Sequence, residues 1–217
     1  MAPAMNMLGV VLAGGLSRRM GADKANLLLD GEPLWRRQMG VLRAAGLGRV
    51  VLMRRTGQTA PPGVECWRDV PDAIGPLGGI HTALLARVAP WVAVLAVDMP
   101  GIRAEWFTWL AGFCRSGIGA AAQHAEGVEP LAGIYPADAV ADAASQIGAG
   151  DFSVRNMIRT LAHSGRMTLV PIGAAETECV RSLNTPSESD LWGSRRERFI
   201  STTIVRPRDI SRSPSTR

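Results

Sequence analysis

The chain has 217 residues, of which 47% are hydrophobic and 20% are charged, enough for one α/β domain with its own core and too few for two ordinary domains. No run of about 18 apolar residues is present, which excludes a membrane-spanning helix, and we expect no secretory signal because the N-terminal segment lacks a basic region followed by an apolar one. The three cysteines are widely spaced and odd in number, so we expect reduced thiols in a cytoplasmic protein, with neither a disulfide framework nor a zinc site.

The net charge of +5 belongs to the C-terminal segment. Of the 24 basic and 19 acidic residues, seven and two lie in residues 193–217, so the rest of the chain holds 17 of each. A nucleic-acid-binding domain is therefore not expected, although a binder that uses only the tail stays open as an alternative. We predict one domain over residues 1–192 and a disordered, Arg-rich tail over 193–217, where Ser, Thr, Arg and Pro dominate.

In chain order, the apolar pattern predicts strands that alternate with helices. Strands are predicted at 7–12, 49–53, 64–67, 91–97, 119–123, 130–135, 167–172 and 179–183, with a short strand or loop at 26–30. Helices are predicted at 33–45, 103–115, 136–147, 153–163 and 186–192, and a glycine-containing loop runs into a helix over 76–87. This alternation indicates a three-layer α/β fold with a mostly parallel sheet, in which ligands bind beyond the carboxyl ends of the strands.

The first strand runs into a segment rich in glycine and positive charge. Residues 12–24 read LAGGLSRRMGADK, and Lys24 is the only lysine of the chain. Glycines allow backbone N–H groups to close around phosphate oxygens, and Arg18, Arg19 and Lys24 would add positive charge over a triphosphate. The segment is neither a Walker loop nor a GxGxxG turn, and a solvated surface turn is the alternative interpretation.

Three further polar features follow predicted strands. Asp98 follows the most apolar strand and could hold Mg²⁺ against phosphates, although it could instead cap the next helix. Asp69 precedes the glycine cluster GPLGG at 75–79, which permits close approach of a flat base, and Asp72 competes with it for any ligand role. Asn184 ends the last predicted strand, and an equal explanation of this segment is that Thr185 caps the helix that begins at Pro186.

Together these segments resemble the molybdenum cofactor guanylyltransferase family of the MobA type, which has a Rossmann-like nucleotidyltransferase fold. The opening segment resembles the family signature LAGG..RRMG..DK. The chain then shows GEPLW at 31–35, GPLGG at 75–79, VDMP at 97–100, EPL at 129–131 and NTP at 184–186. The resemblance covers about residues 7–192. Family members often have Asn after the second strand, where this chain has Met53-Arg54-Arg55, and a second Asn where it has Ser182.

The resemblance implies transfer of GMP from GTP to the molybdopterin cofactor, with Mg²⁺ as the metal. It implies that Lys24, Asp98 and Arg19 are catalytic and that Asp98 binds the metal. It places Asn184 near the pterin substrate. The residues implied to contact the nucleotide are Leu12, Ala13, Gly14, Gly15, Lys24, Asp69, Gly78 (against the guanine) and Asp98. The expected partners are GTP, the molybdopterin cofactor and molybdoenzyme maturation proteins.

The sequence alone leaves two other functions open. A cytidylyltransferase or sugar-phosphate nucleotidyltransferase would carry the same opening loop, and a nucleotide-binding accessory protein would bind the cofactor without turnover. The form RMG..DK favours the guanylyl branch over the cytidylyl branch. The common expectation is that glycine amides, Lys24 and Asp98 converge around one polyphosphate at the same edge of the sheet.

Overall fold

The structure, a computed structural model, describes residues 5–14, 23–69 and 75–183. Within these residues, seven strands form one sheet: β1 (Met5–Leu12), β4 (Leu47–Arg54), β5 (Cys66–Arg68), β6 (Trp91–Ala96), β7 (Gly119–His124), β8 (Gly127–Pro136) and β9 (Met167–Pro171). Their spatial order is β5-β4-β1-β6-β8-β7-β9, and all pairs are parallel except those that β8 makes with β6 and β7. Two short strands, β2 (Leu28–Leu29) and β3 (Glu32–Pro33), form a separate hairpin.

Helices cover both faces of the large sheet. They are α1 (Leu34–Ala44), α2 (Pro76–Leu85), α3 (Ala104–Ala111), α4 (Val140–Gly148), α5 (Val154–His163) and α6 (Ala174–Cys179), with 3₁₀ turns at Lys24–Asn26 and Ala137–Ala139. Buried side chains of α1 and α3 belong to one apolar core, whereas those of α2, α4 and α5 belong to a second core. The predicted three-layer α/β fold with a mostly parallel sheet is confirmed. Among the described residues, no helix is long and apolar enough to cross a membrane.

The central strands have continuous apolar sequences because helices cover both faces of the sheet. In β1, Val10 and Val11 point into different cores and neither is exposed to solvent. The parallel register pairs Leu12 with Met53 on one side and with Ala96 on the other. The segments that follow these three strands therefore leave the sheet at the same edge, side by side.

One predicted strand is wrong. Residues 179–183 were predicted to form a strand, but Cys179 is the last residue of the helix Ala174–Cys179 and residues 180–183 form no strand. Val180 and Leu183 are buried, as the apolar pattern indicated, but the backbone of Leu183 bonds to the Asp98 carbonyl oxygen and the Lys24 ammonium instead of to a neighbouring strand. The helix predicted over 103–115 ends earlier, at Ala111, and the one predicted over 186–192 lies outside the described residues.

Candidate active site

A cavity of about 280 Å³ opens at the carboxyl edge of the sheet. The ends of β1, β4 and β6, the start of α2 and the 3₁₀ turn at Lys24 surround it. Its lining residues are Leu12, Gly14, Lys24, Met53, Arg55, Asp69, Gly75, Pro76, Gly79, Ala96, Val97, Asp98 and Leu131. This is the edge at which a nucleotide-binding site is expected in a sheet of this kind.

Lys24 and Asp98 form an ion pair in the wall of this cavity. The Lys24 Nζ donates hydrogen bonds to Asp98 Oδ2 at 3.2 Å and to the Leu183 carbonyl oxygen at 2.8 Å. Both side chains are partly shielded, with 18% and 22% of their surface exposed. The structure thus brings together an ammonium and a carboxylate that lie 74 residues apart in the chain, as the expected convergence at one edge requires.

Local structure explains how each of these side chains is presented. Asp98 lies two residues beyond β6, and its backbone carbonyl accepts a hydrogen bond from the Leu183 N–H at 2.7 Å. Lys24 opens a 3₁₀ turn that is capped by Asp23, whose Oδ1 accepts from the Ala25 N–H at 3.0 Å. Leu183 therefore contacts the side chain of Lys24 and the backbone of Asp98.

Asp69 also lines the cavity. It follows β5, and its backbone N–H donates to the Arg54 carbonyl oxygen at 3.2 Å. Burial raises the pKa of the Asp69 carboxyl, while the nearby charges of Arg55 and Arg68 lower it. Asp72 lies outside the described residues, so the choice between the two acids stays a prediction.

The glycine loop after β1 is described only in its first residues. Leu12 and Gly14 line the cavity, whereas Ala13 is buried and its N–H donates to the Met53 carbonyl oxygen at 2.9 Å. A Cβ on Gly14 would lie 2.7 Å from Arg55 Cγ, so glycine lets the loop pass directly beside that side chain. Gly15, Arg18, Arg19 and Asn184 lie outside the described residues.

The glycine cluster at 75–79 borders the cavity at the start of α2, through Gly75 and Gly79. The helix begins at Pro76, so most of the predicted loop is already helical. Gly79 lines the cavity, but Gly78 is not among the lining residues that the structure describes. A Cβ on Gly79 would lie 2.9 Å from Leu12 Cδ2 and 3.0 Å from Met53 Cγ, so this glycine sets how closely α2 approaches β1 and β4.

Arg55 and Glu129 were not proposed as site residues from the sequence. Arg55 follows β4 and lines the cavity. Glu129, in β8, is 7% exposed, and burial raises its pKa to about 7, with a smaller contribution in the same direction from Asp98. Its Oε1 accepts from the Leu131 N–H at 2.8 Å. The EPL motif was the available signal for Glu129, but burial of its carboxyl depends on packing.

Asp98 offers the donor set that Mg²⁺ uses when it binds together with a nucleotide. No group of three or more His, Cys, Asp or Glu side chains forms a metal cluster within the described residues. Mg²⁺ is usually held by one or two carboxylates, several waters and the phosphates of the substrate. A single partly exposed carboxylate in the cavity wall, beside an ammonium, fits that pattern.

Comparison with known proteins identifies the family. The model of the MobA-like NTP transferase domain matches residues 9–166. A probable molybdenum cofactor guanylyltransferase from Opitutus terrae is 45% identical over 193 residues, covering 87% of this chain and 96% of that protein. A protein of the same description from Deinococcus radiodurans is 33% identical, covering 69% of this chain and 77% of that protein.

A solved structure shares the fold. The molybdopterin-guanine dinucleotide biosynthesis protein A of Archaeoglobus fulgidus superposes with a TM-score of 0.73 at 21% identity, covering 88% of this chain and 99% of that one. The family match covers most of the chain, and it confirms the resemblance found in the sequence motifs. The chain therefore belongs to the MobA-like NTP transferase family, a family of nucleotidyltransferases.

Proposed function

We propose that this protein is a molybdenum cofactor guanylyltransferase, which transfers GMP from GTP to the molybdopterin cofactor and releases pyrophosphate. The identity of 45% to a relative of that description, over nearly the full length of both chains, supports the choice of substrates. The observation that carries the chemistry is the pair of Lys24 and Asp98, 3.2 Å apart in a cavity at the carboxyl edge of the sheet.

The reaction is a substitution at phosphorus. A terminal phosphate oxygen of molybdopterin forms a bond to the α-phosphorus of GTP, and the bond from that phosphorus to the bridging oxygen of pyrophosphate breaks. The attacking oxygen is already anionic, so no general base is required. The protein has to hold two anions in line and to stabilise the negative charge that leaves with pyrophosphate.

The side chains in the cavity match these tasks. The Lys24 ammonium is a compact charge that can bind the leaving phosphates. Asp98 would hold Mg²⁺, which when bound neutralises charge on the polyphosphate. The backbone at Leu12, Ala13 and Gly14 would contact the nucleotide.

Other assignments follow the resemblance to the family. Asp69 would bind the nucleotide, and Gly78 would lie near the guanine. Gly15 and Arg19 would add an amide and a charge at the phosphates, and Asn184 would contact the pterin side.

We extend the proposal to the organisation and setting of the protein. Residues 1–192 would form the catalytic domain, with 193–217 as an appended tail. The three cysteines, all within the described part, form no disulfide, which supports a reducing cytoplasm as the setting. Molybdoenzyme maturation proteins would receive the product.

Nucleotide-dependent thermal stabilisation tests the substrate. The protein is heated with GTP or CTP, each with and without Mg²⁺, and pyrophosphate release is then measured with GTP and molybdopterin. We expect the largest rise in melting temperature with GTP and Mg²⁺, and pyrophosphate release only when both substrates are present. A larger rise with CTP would assign the cytidylyl reaction instead, and GTP binding without pyrophosphate release would indicate an accessory protein.

A further inference from the structure

Arg54 is a buried charge that the catalytic chemistry does not use. It is the last residue of β4 and is 2% exposed, and it is not among the cavity-lining residues. One guanidinium nitrogen, Nη2, donates to Asp23 Oδ2 at 2.6 Å and to the Thr59 carbonyl oxygen at 3.1 Å. Nε and Nη1 are buried without a hydrogen-bond partner in the described part of the chain. Burying a charge in this way is costly, so its ion pair with Asp23, the one acidic partner among the described residues, indicates a structural role.

Asp23 connects this buried charge to the 3₁₀ turn that carries Lys24. One carboxylate oxygen, Oδ2, binds Arg54, while the other, Oδ1, accepts from the Ala25 N–H at 3.0 Å and caps the turn. The Asp23 carbonyl oxygen also accepts from the Asn26 N–H at 3.0 Å. Ala25 is fully buried, so the turn is fixed both by its cap and by its packing.

The position of Lys24 follows from that anchor. Its Cα lies one residue after Asp23, and its flexible side chain must reach Asp98 and the Leu183 carbonyl oxygen. A lysine side chain is flexible and loses conformational entropy when its ammonium is held in one place, so a fixed backbone reduces the number of places its ammonium can occupy. Preorganisation of this kind is what aligns a charge with a reacting phosphate.

We propose that Arg54 is a positioning residue for Lys24: through its ion pair with Asp23 it holds the turn from which the ammonium reaches the polyphosphate. The inference rests on the proposed function, because it takes the GTP phosphates as the ligand of Lys24. Arg54 itself touches no substrate in this account. Its effect on nucleotide binding must therefore pass through Lys24.

A ligand-free measurement tests the first half of the proposal. Lys24 is the only lysine of the chain, so protein labelled with ¹³C-lysine gives one set of lysine side-chain signals in NMR. We expect an ordered Lys24, with two distinct Hε resonances, in the unsubstituted protein. Arg54→Met, which adds no second lysine, should merge these two resonances into an averaged signal. Unchanged Hε resonances in a folded Arg54→Met protein would refute the proposal.

Arg49→Met is the matched control. Arg49 lies in the same strand, and its guanidinium also binds a carboxylate, that of Glu65, at 2.6 Å. This pair is about half exposed, and Glu65 adjoins the neighbouring strand β5, away from the turn that carries Lys24. Removing this guanidinium should leave the Lys24 signal and GTP binding unchanged. A change as large as that in Arg54→Met would mean that any lost arginine in β4 disturbs the site.

A double-mutant cycle on the dissociation constant of GTP with Mg²⁺ tests the second half. Arg54→Met should weaken binding by about 10-fold, a coupling in the usual range for residues that act through one network. In a Lys24→Met background the same substitution should change the constant less than about 2-fold. An equal loss in both backgrounds would overturn the proposal, since Arg54 would then act independently of Lys24.

A second variant covers the case in which Arg54→Met does not fold. Asp23→Asn keeps the size of the side chain but has one oxygen, which can serve either the Ala25 N–H or Arg54 and not both. We expect it to reproduce the averaged Lys24 signal and the loss of GTP affinity. If the Lys24 resonances average in Asp23→Asn but the unsubstituted protein binds no GTP, the proposed function is rejected and the positioning role is supported. An unperturbed Lys24 in Asp23→Asn would reject the positioning role alone.

Discussion

Substitution of Glu129 by Gln should change how the stability of the protein depends on pH. Burial raises the pKa of this carboxyl from 4.5 to about 7, so the folded protein binds the proton more tightly than the unfolded chain. Ionising the buried group then costs folding free energy. The cost is absent below pH 4.5, grows between pH 4.5 and 7, and stays constant above that range.

The magnitude follows from the two pKa values. Each tenfold difference in proton affinity corresponds to about 1.4 kcal/mol, so the full penalty above pH 7 is about 3 kcal/mol. At pH 5 the unfolded chain is already mostly ionised, and the penalty there is about 0.8 kcal/mol. Gln carries no charge at either pH, and its carbonyl oxygen can still accept the hydrogen bond that the Leu131 N–H donates to Glu129. The stability of Glu129→Gln relative to the unsubstituted protein should therefore be more favourable at pH 8 than at pH 5 by about 2.5 kcal/mol.

Urea unfolding of both proteins at pH 5 and pH 8 measures this difference. Glu65→Gln is a suitable control, because that carboxylate is exposed and its hydrogen bond with Arg49 lowers its pKa. The control should gain no stability at pH 8. If the effect of Glu129→Gln is the same at both pH values, the buried carboxyl does not have the raised pKa, and the reasoning fails.

Three other substitutions test the site and the sheet. Asp98→Ala should lower the rate of pyrophosphate release in a Mg²⁺-dependent assay by about 10²- to 10³-fold, as loss of one preorganised charge contact does, with GTP affinity changed less; near-normal turnover would count against a role for Asp98 in the reaction. Lys24→Arg should also lose turnover, because a planar guanidinium does not replace a compact ammonium, and normal rates in the same assay would contradict that role. Gly119→Ala should destabilise the fold by at least about 1–3 kcal/mol, since its Cβ would collide with the carbonyl oxygen of Ile134. Gly48→Ala, where a Cβ meets nothing within 4 Å, is the control in thermal unfolding, and equal melting temperatures for the two variants would contradict the collision.

The sequence contained the main features of the sheet and part of the site. The strand before Gly14 and the strand before Asp98 are apolar on both faces, so a fully buried strand could be predicted at each. Because parallel strands end at one edge, the meeting of Lys24 and Asp98 could also be expected. The strand predicted at 179–183 is wrong, because the backbone of Leu183 bonds to Asp98 and Lys24 and not to a neighbouring strand, although Val180 and Leu183 are buried.

Polar pairings over long distances could not be predicted in the same way. The hydrogen bond from Lys24 to the Leu183 carbonyl oxygen spans 159 residues, and the ion pair between Arg54 and Asp23 spans 31. Arg54 ends β4 and Arg55 follows it, yet Arg54 is buried and Arg55 lines the cavity. Residue type gives the charge but not its depth, because depth depends on which loops pack over it.

The sequence by itself determined the layered α/β class, the edge of the sheet that carries the site, and the family. Periodicity and glycine placement are local properties, and they report which faces are buried and where the backbone can turn. The tertiary structure decided the depth of Glu129, the anchor beneath Lys24 and the irregular path of residues 180–183, where a strand was predicted. These depend on contacts between segments distant in the chain, where the free energy of burying a charge is set by partners that no local pattern specifies.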